Sequence, residues 1–132
     1  MNALPMSSPC PCRLPAALPR YADCCGRFHA GALAPDAEAL MRSRYSAYVL
    51  RLPDYLLATW HASSRPTTLE PDPADLKWLG LDVRRYAVAD ADHATVEFVA
   101  RSKLGGRAHR LHELSRFVRE DGRWYYVDGD VG

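Results

Sequence analysis

Lysine is nearly missing from this 132-residue chain: Lys77 and Lys103 are the only two among seventeen basic residues. The rest are arginine, which reads as a codon habit rather than a binding face. Sixteen acidic residues bring the formal net charge to +1, so no bulk field draws the chain to nucleic acid or anionic lipid. Arg101, Arg107, Arg110, Arg116, Arg119 and Arg123 are interleaved with acids and have only local aromatics, so no nucleic-acid partner is expected. No apolar run approaches the roughly eighteen residues that a spanning helix needs, and residues 1–9 lack the apolar core of a signal peptide. The expectation is a cytoplasmic chain with no membrane partner. There is no GxGxxG or Walker sequence to cradle phosphates, no serine on a nucleophile elbow, and no His-x-x-x-His pair. Beyond Cys25 there is no cysteine at all.

What the chain does have is a cysteine cluster near its start. Cys10, Cys12, Cys24 and Cys25 fall within sixteen positions. Cytoplasmic thiols stay reduced, and clustered ones there bind metal more often than they pair. Zinc takes four tetrahedral ligands, and a Cys-x-Cys turn plus a Cys-Cys pair supplies them. Four sulfurs leave no open position, so such a site is structural rather than catalytic. His29 is a spare ligand should Cys25 point away, and a disulfide framework is the alternative reading. Residues 1–33 are punctuated by proline and bury little alone, so an ion would act as their staple. Cys10-Pro11-Cys12 with Cys24-Cys25-Gly26 resembles the SEC-C zinc motif of bacterial SecA C-termini. Arg13-Leu14 stands where that family has Gly-Ser, and the loop to Cys24 is longer. The resemblance implies a small zinc knuckle and an adaptor role toward a protein partner.

From Pro35 the pattern becomes regular. Asp36 is a helix cap, and Met41, Tyr45, Tyr48 and Leu52 form one apolar stripe on a helix reaching about Leu52. Pro53 opens a second helix to about His61, with Leu56, Leu57 and Trp60 inward. Residues 72–76 read as a short helical turn. From Trp78 the period changes to two: Leu79, Leu81 and Val83 alternate on a first strand, and Val96, Phe98 and Ala100 on a second. Gly105-Gly106 and Asp121-Gly122 are hairpin turns, giving a third strand at 107–119 and a fourth at 123–128. Helices followed by an antiparallel four-stranded meander make an α+β domain over 34–132.

Strand parity puts Glu113, Ser115 and Phe117 on one face and Trp124, Tyr126 and Asp128 on one face of the next strand. With Arg44, Tyr45 and Tyr48 from the first helix and Trp60 and His61 from the second, these would line a pocket between helices and sheet. Such a pocket suits a small molecule, or proton transfer with Glu113 as base and His61 or Tyr126 as acid. The plainer reading makes the aromatics core residues, Glu113 half of an ion pair with an arginine, and His61 a helix cap. His112 faces solvent.

Ala34-Pro35, Leu40-Met41-Arg42-Ser43-Arg44-Tyr45, Asp54-Tyr55-Leu56, Thr59-Trp60-His61, Leu111-His112-Glu113 and Gly122-Arg123-Trp124-Tyr125-Tyr126 together resemble the YchJ family of uncharacterised bacterial proteins. The resemblance implies a cone of the nuclear-transport-factor-two (NTF2-like, cystatin-like) type, with helices on a strongly curved sheet. The expected function is a zinc-binding interaction module rather than an enzyme. The alternative is a small-ligand-binding protein or acid/base enzyme using the pocket.

Overall fold

Helices precede strands, as the change of period predicts. The computed structural model describes residues 6–132; Pro5 and the first residues of the 1–33 segment lie outside the described residues. Two 3₁₀ turns, Pro11–Arg13 and Tyr21–Asp23, and helix α1 (Cys25–His29) make a cysteine-rich head. Then come α2 (Ala37–Leu50), α3 (Pro53–Ala58), β1 (Lys77–Asp90), β2 (His93–Leu104), β3 (Arg107–Glu120) and β4 (Arg123–Val131). No helix among the described residues is long and apolar enough to cross a membrane.

Asp36 caps α2 as its position predicts: its carboxylate accepts the Ala39 N–H at 2.7 Å, filling one donor that a helix start leaves open. The far end stops at Leu50. Arg51 there takes a left-handed φ of 57°, and the Leu52 N–H returns to the Ala47 carbonyl at 2.9 Å. The Arg51 guanidinium also donates to the Asp72 and Pro73 carbonyls at 3.0 and 2.9 Å, tying down the long loop before β1. That loop holds an ordinary turn, Leu76 N–H to Pro73 carbonyl, where a helical turn is expected from 72–76.

The second helix is shorter than its pattern suggests, ending at Ala58 and not His61. The next residues leave it to pair with the sheet edge: the Tyr126 N–H donates to Thr59 and the His61 N–H to Tyr126, both at 2.8 Å. An unpaired outer strand invites a partner, and this short bridge covers part of β4. It also fixes Trp60 against Tyr126.

All four strands pair antiparallel in the order β1-β2-β3-β4. Gly105 and Gly106 have φ of 57° and 77°, and Asp121 and Gly122 have 53° and 76°, as two-residue hairpin turns require. Register shifts interrupt β1 three times and the β3–β4 pairing once, and such bulges bend and twist a sheet. The shift between Trp78 and Gly80 overturns one alternation: Leu79 is 50% exposed, while Trp78 turns toward Tyr45 and Tyr48 with ring centroids 5.8 and 6.2 Å away. Leu40, Met41 and Tyr45 of α2 pack with Val96, Phe98, Ala100, Phe117 and Trp124 of the sheet. The four cysteines and Tyr21 join the same buried cluster, so head and cone share a core.

Candidate functional site

The head brings four sulfurs together. Cys10, Cys12, Cys24 and Cys25 are all buried and free, with ligand atoms within 4.8 Å of one another. Cys12 Sγ lies 3.6 Å from Cys10, 3.7 Å from Cys24 and 3.6 Å from Cys25. Bonded sulfurs would sit about 2.05 Å apart, so this is a nest and not a disulfide framework. Hydrogen bonding among the sulfurs divides the thiols: Cys25 holds Cys24 below the usual thiol range, while Cys10 pushes Cys12 above it. The donor set and its spacing could hold one metal ion. Ser46 of α2 touches Cys10 at 3.7 Å, and Arg42 donates to the Cys12 carbonyl at 3.2 Å, seating the nest on the helix.

His29 is not part of the nest. Its Nε2 lies 2.8 Å from the Ser43 carbonyl, which only accepts, so that nitrogen carries the proton. Nδ1 then accepts from the Tyr21 hydroxyl at 2.6 Å. Both nitrogens are committed, which corrects the expectation of a spare ligand: His29 pins α1 to α2.

Under α2, the concave face of the sheet lines a partly open cavity of about 270 Å³. Eight of the eleven residues expected around the pocket line it: Arg44, Tyr45, Tyr48, Trp60, Glu113, Ser115, Phe117 and Tyr126. Phe98, Ala100, Leu111, Met41, Trp78 and Asp72 complete the wall. Glu113 Oε2 accepts from Ser115 Oγ at 2.5 Å and from the Tyr126 hydroxyl at 3.2 Å. Arg44 is 6% exposed; its Nη1 donates to the Leu56 carbonyl at 2.8 Å and Thr59 Oγ1 at 2.7 Å. Its guanidinium stands 4.6 Å from the Tyr126 ring and 5.2 Å from the Trp60 ring, each a cation–π contact. Trp60 Nε1 is buried with no hydrogen-bond partner among the described residues.

The profile described as "YchJ, middle NTF2-like domain" matches residues 36–129. The chain belongs to the YchJ family. A UPF0225 protein of Bordetella parapertussis is 64% identical over 132 residues, covering 96% of this chain and 97% of its own length. One from Methylibium petroleiphilum is 63% identical, covering 93% and 88%. Among solved structures, a SEC-C motif containing protein from Rhodopseudomonas palustris superposes with a TM-score of 0.80 at 34% identity, over 93% of this chain and 98% of that one. A second such protein, from Psychrobacter arcticus, gives 0.72 at 32% identity over 93% and 82%. The SEC-C and NTF2-like resemblances and the α+β cone are therefore features of this YchJ-family chain.

Four expectations about the pocket of this YchJ-family member need correction. His61 lies outside the cavity: its Nε2 meets Glu120 at 2.8 Å and its Nδ1 meets Ser63 at 2.7 Å, both at the surface, because α3 ends before it. That also removes its expected role as a helix cap. Trp124 is buried core at the other end of β4 and does not line the cavity. Arg44 and Glu113 form no ion pair among the described residues, since Arg44 is turned to the α3 carbonyl and hydroxyl. A register shift between Arg116 and Phe117 also swings Asp128 outward, to Arg116 at 2.6 Å. His112 is half-buried and pairs with Glu97 at 2.7 Å.

Burial raises Tyr45 to about 12, and burial followed by the Glu113 charge pushes Tyr126 well above the ordinary phenol range. Desolvation lowers Arg44. Sequence reasoning missed Trp78 and Asp72. The first is turned inward by a bulge and the second is held by Arg51, neither of which has a local signature.

Proposed function

We propose that the four cysteines hold one structural zinc ion and that the chain works by holding a small molecule in its cone cavity. Sulfur spacing supports the first half. Zinc–sulfur bonds of about 2.3 Å at tetrahedral angles put neighbouring sulfurs about 3.8 Å apart, close to the 3.6–3.7 Å found here. The residues present fit the ion, which would neutralise thiolates that otherwise repel. All four positions are sulfur and buried, so the ion supplies shape rather than chemistry. Reduced thiols suit the cytoplasm, the compartment expected for this chain.

The cavity carries the second half, and the observation behind it is the Arg44 guanidinium on its wall, buried and hydrogen-bonded only through Nη1 among the described residues. A buried charge without a counter-ion is costly, and a ligand acceptor would offset that cost. Binding is favoured over acid/base catalysis because His61 is elsewhere and Tyr126 holds its proton tightly. The test is metal analysis of the purified chain together with a fragment screen read on the Trp60 indole resonance. One zinc per chain and saturable shifts at that resonance are expected.

A second reading, an adaptor docking through the head on a protein partner, draws on Leu14 and Leu18, which are 43% and 66% exposed beside the nest. Replacing both with serine should abolish capture of such a partner by the zinc-loaded chain while sparing ligand shifts in the cavity.

A further inference from the structure

Two poles of the cavity are incompletely served by the protein. Arg44 is a buried cation with five N–H donors, yet both of its hydrogen bonds leave from Nη1 and no carboxylate pairs with it among the described residues. A buried charge without a counter-ion is costly. The Arg44 guanidinium lies over the Trp60 ring, 5.2 Å from the centroid. At the other pole, both donors to Glu113 land on Oε2, and no described side chain donates to Oε1. Tyr126 separates the poles, with its ring against Arg44 and its hydroxyl on Glu113. Trp78, Phe98, Leu111 and Phe117 supply an apolar wall.

We infer that the cavity takes a small zwitterion, with a carboxylate received by Arg44 and a protonated amine received by Glu113; this rests on the reading of the cavity as a ligand site. A simple acid would fill the first pole and face the Glu113 charge. A simple amine would face the Arg44 charge. A ligand carrying both groups meets each pole with the opposite charge and needs no net counter-ion. Size points the same way: about 270 Å³ falls just under the roughly 300–1,000 Å³ of drug-sized pockets. A molecule on the scale of one amino acid fits it.

The experiment uses the metal-loaded full chain and the free amino acids as probes. Each is matched to the same skeleton lacking the amine and to the same skeleton lacking the carboxylate, and binding is followed by calorimetry and the Trp60 indole resonance. At least one zwitterion is expected to saturate the site, with both half-analogues about tenfold or more weaker. Arg44→Lys keeps the positive charge but removes the planar fork, and should weaken the zwitterion about tenfold. Glu113→Gln should weaken the zwitterion by a similar factor while leaving the amine-free acid as tight or tighter, a contrast that mere loosening of the fold would not produce. Half-analogues binding as well as the zwitterion, or Arg44→Lys binding unchanged, would overturn the ligand class while leaving the cavity a ligand site. If neither these probes nor a library of neutral fragments shifts any resonance of the cavity wall, the cavity reading itself falls and takes this inference with it.

Discussion

Stripping the proposed zinc ion from the head should cost this chain a large part of its stability. Structural zinc in small domains binds with roughly 10–16 kcal/mol of apparent free energy, or dissociation constants of about 10⁻⁷ to 10⁻¹² M. At a middle value of about 10⁻¹⁰ M and about 1 µM free zinc, the folded state gains RT ln 10⁴, about 5.5 kcal/mol. For a chain of this length each kcal/mol moves the melting temperature by about 3–5 °C, so a shift of roughly 15–25 °C is expected on chelation. Position explains why the effect should be global. The nest shares a buried cluster with Leu40, Met41 and Tyr45 of α2, so losing the head uncovers the helix face that packs on the sheet. The assay is thermal unfolding with and without a strong chelator, paired with metal content per chain and thiol titration. Cys12→Ser, which removes the sulfur central to all three close contacts, should reproduce the chelated melt and fail to retain metal. Loaded and stripped chains melting within a few degrees of each other would refute the reasoning, as would native protein with no metal and four titratable thiols.

Gly129 faces Ser115 across the β3–β4 pair, where a Cβ would collide with the Glu113 carboxylate. Gly129→Ala should displace that carboxylate from Ser115 and Tyr126, costing about 1–3 kcal/mol of stability by denaturant titration and altering ligand binding in the cavity. Gly26 offers a contrasting case. A Cβ there would stand 2.7 Å from the Tyr21 backbone carbonyl, so Gly26→Ala should cost about 1–3 kcal/mol and weaken metal retention, measured by competition with a chelator. Burial holds His29 below its ordinary 6.5, so the unfolded chain takes up the proton first as pH falls. The contribution is therefore intact above about pH 6.5 and is lost as pH drops through the lower folded value. His29→Gln should flatten that part of the stability-against-pH curve relative to the native chain.

Local chemistry was legible in the residues themselves. Asp36 announces a cap because a short carboxylate reaches the third residue's N–H. Gly105-Gly106 and Asp121-Gly122 announce hairpins because few residues tolerate positive φ. Four thiols within one short stretch announce a cluster that could hold a metal ion, because soft ligands at such spacing suit one. Each of these signals spans a few positions and is decided by the residues it contains.

Tertiary structure decided what alternation could not. Perfect period-two parity would have placed Leu79 inside and Asp128 in the pocket, but bulges in β1 and β4 reverse both. A bulge relieves the mismatch between a twisted sheet and the helix lying on it, and that mismatch exists only once the layers meet. His29 reads as a ligand by spacing and becomes a pin because Tyr21 and Ser43 arrive on either side of its ring. The free indole of Trp60 and the half-used guanidinium of Arg44 are likewise invisible in sequence, because whether a donor finds its acceptor depends on which distant groups the packing brings near. The amino-acid order thus fixed the turns, the cap and the cysteine nest, while the packing of helix on curved sheet determined the shape and chemistry of the cavity.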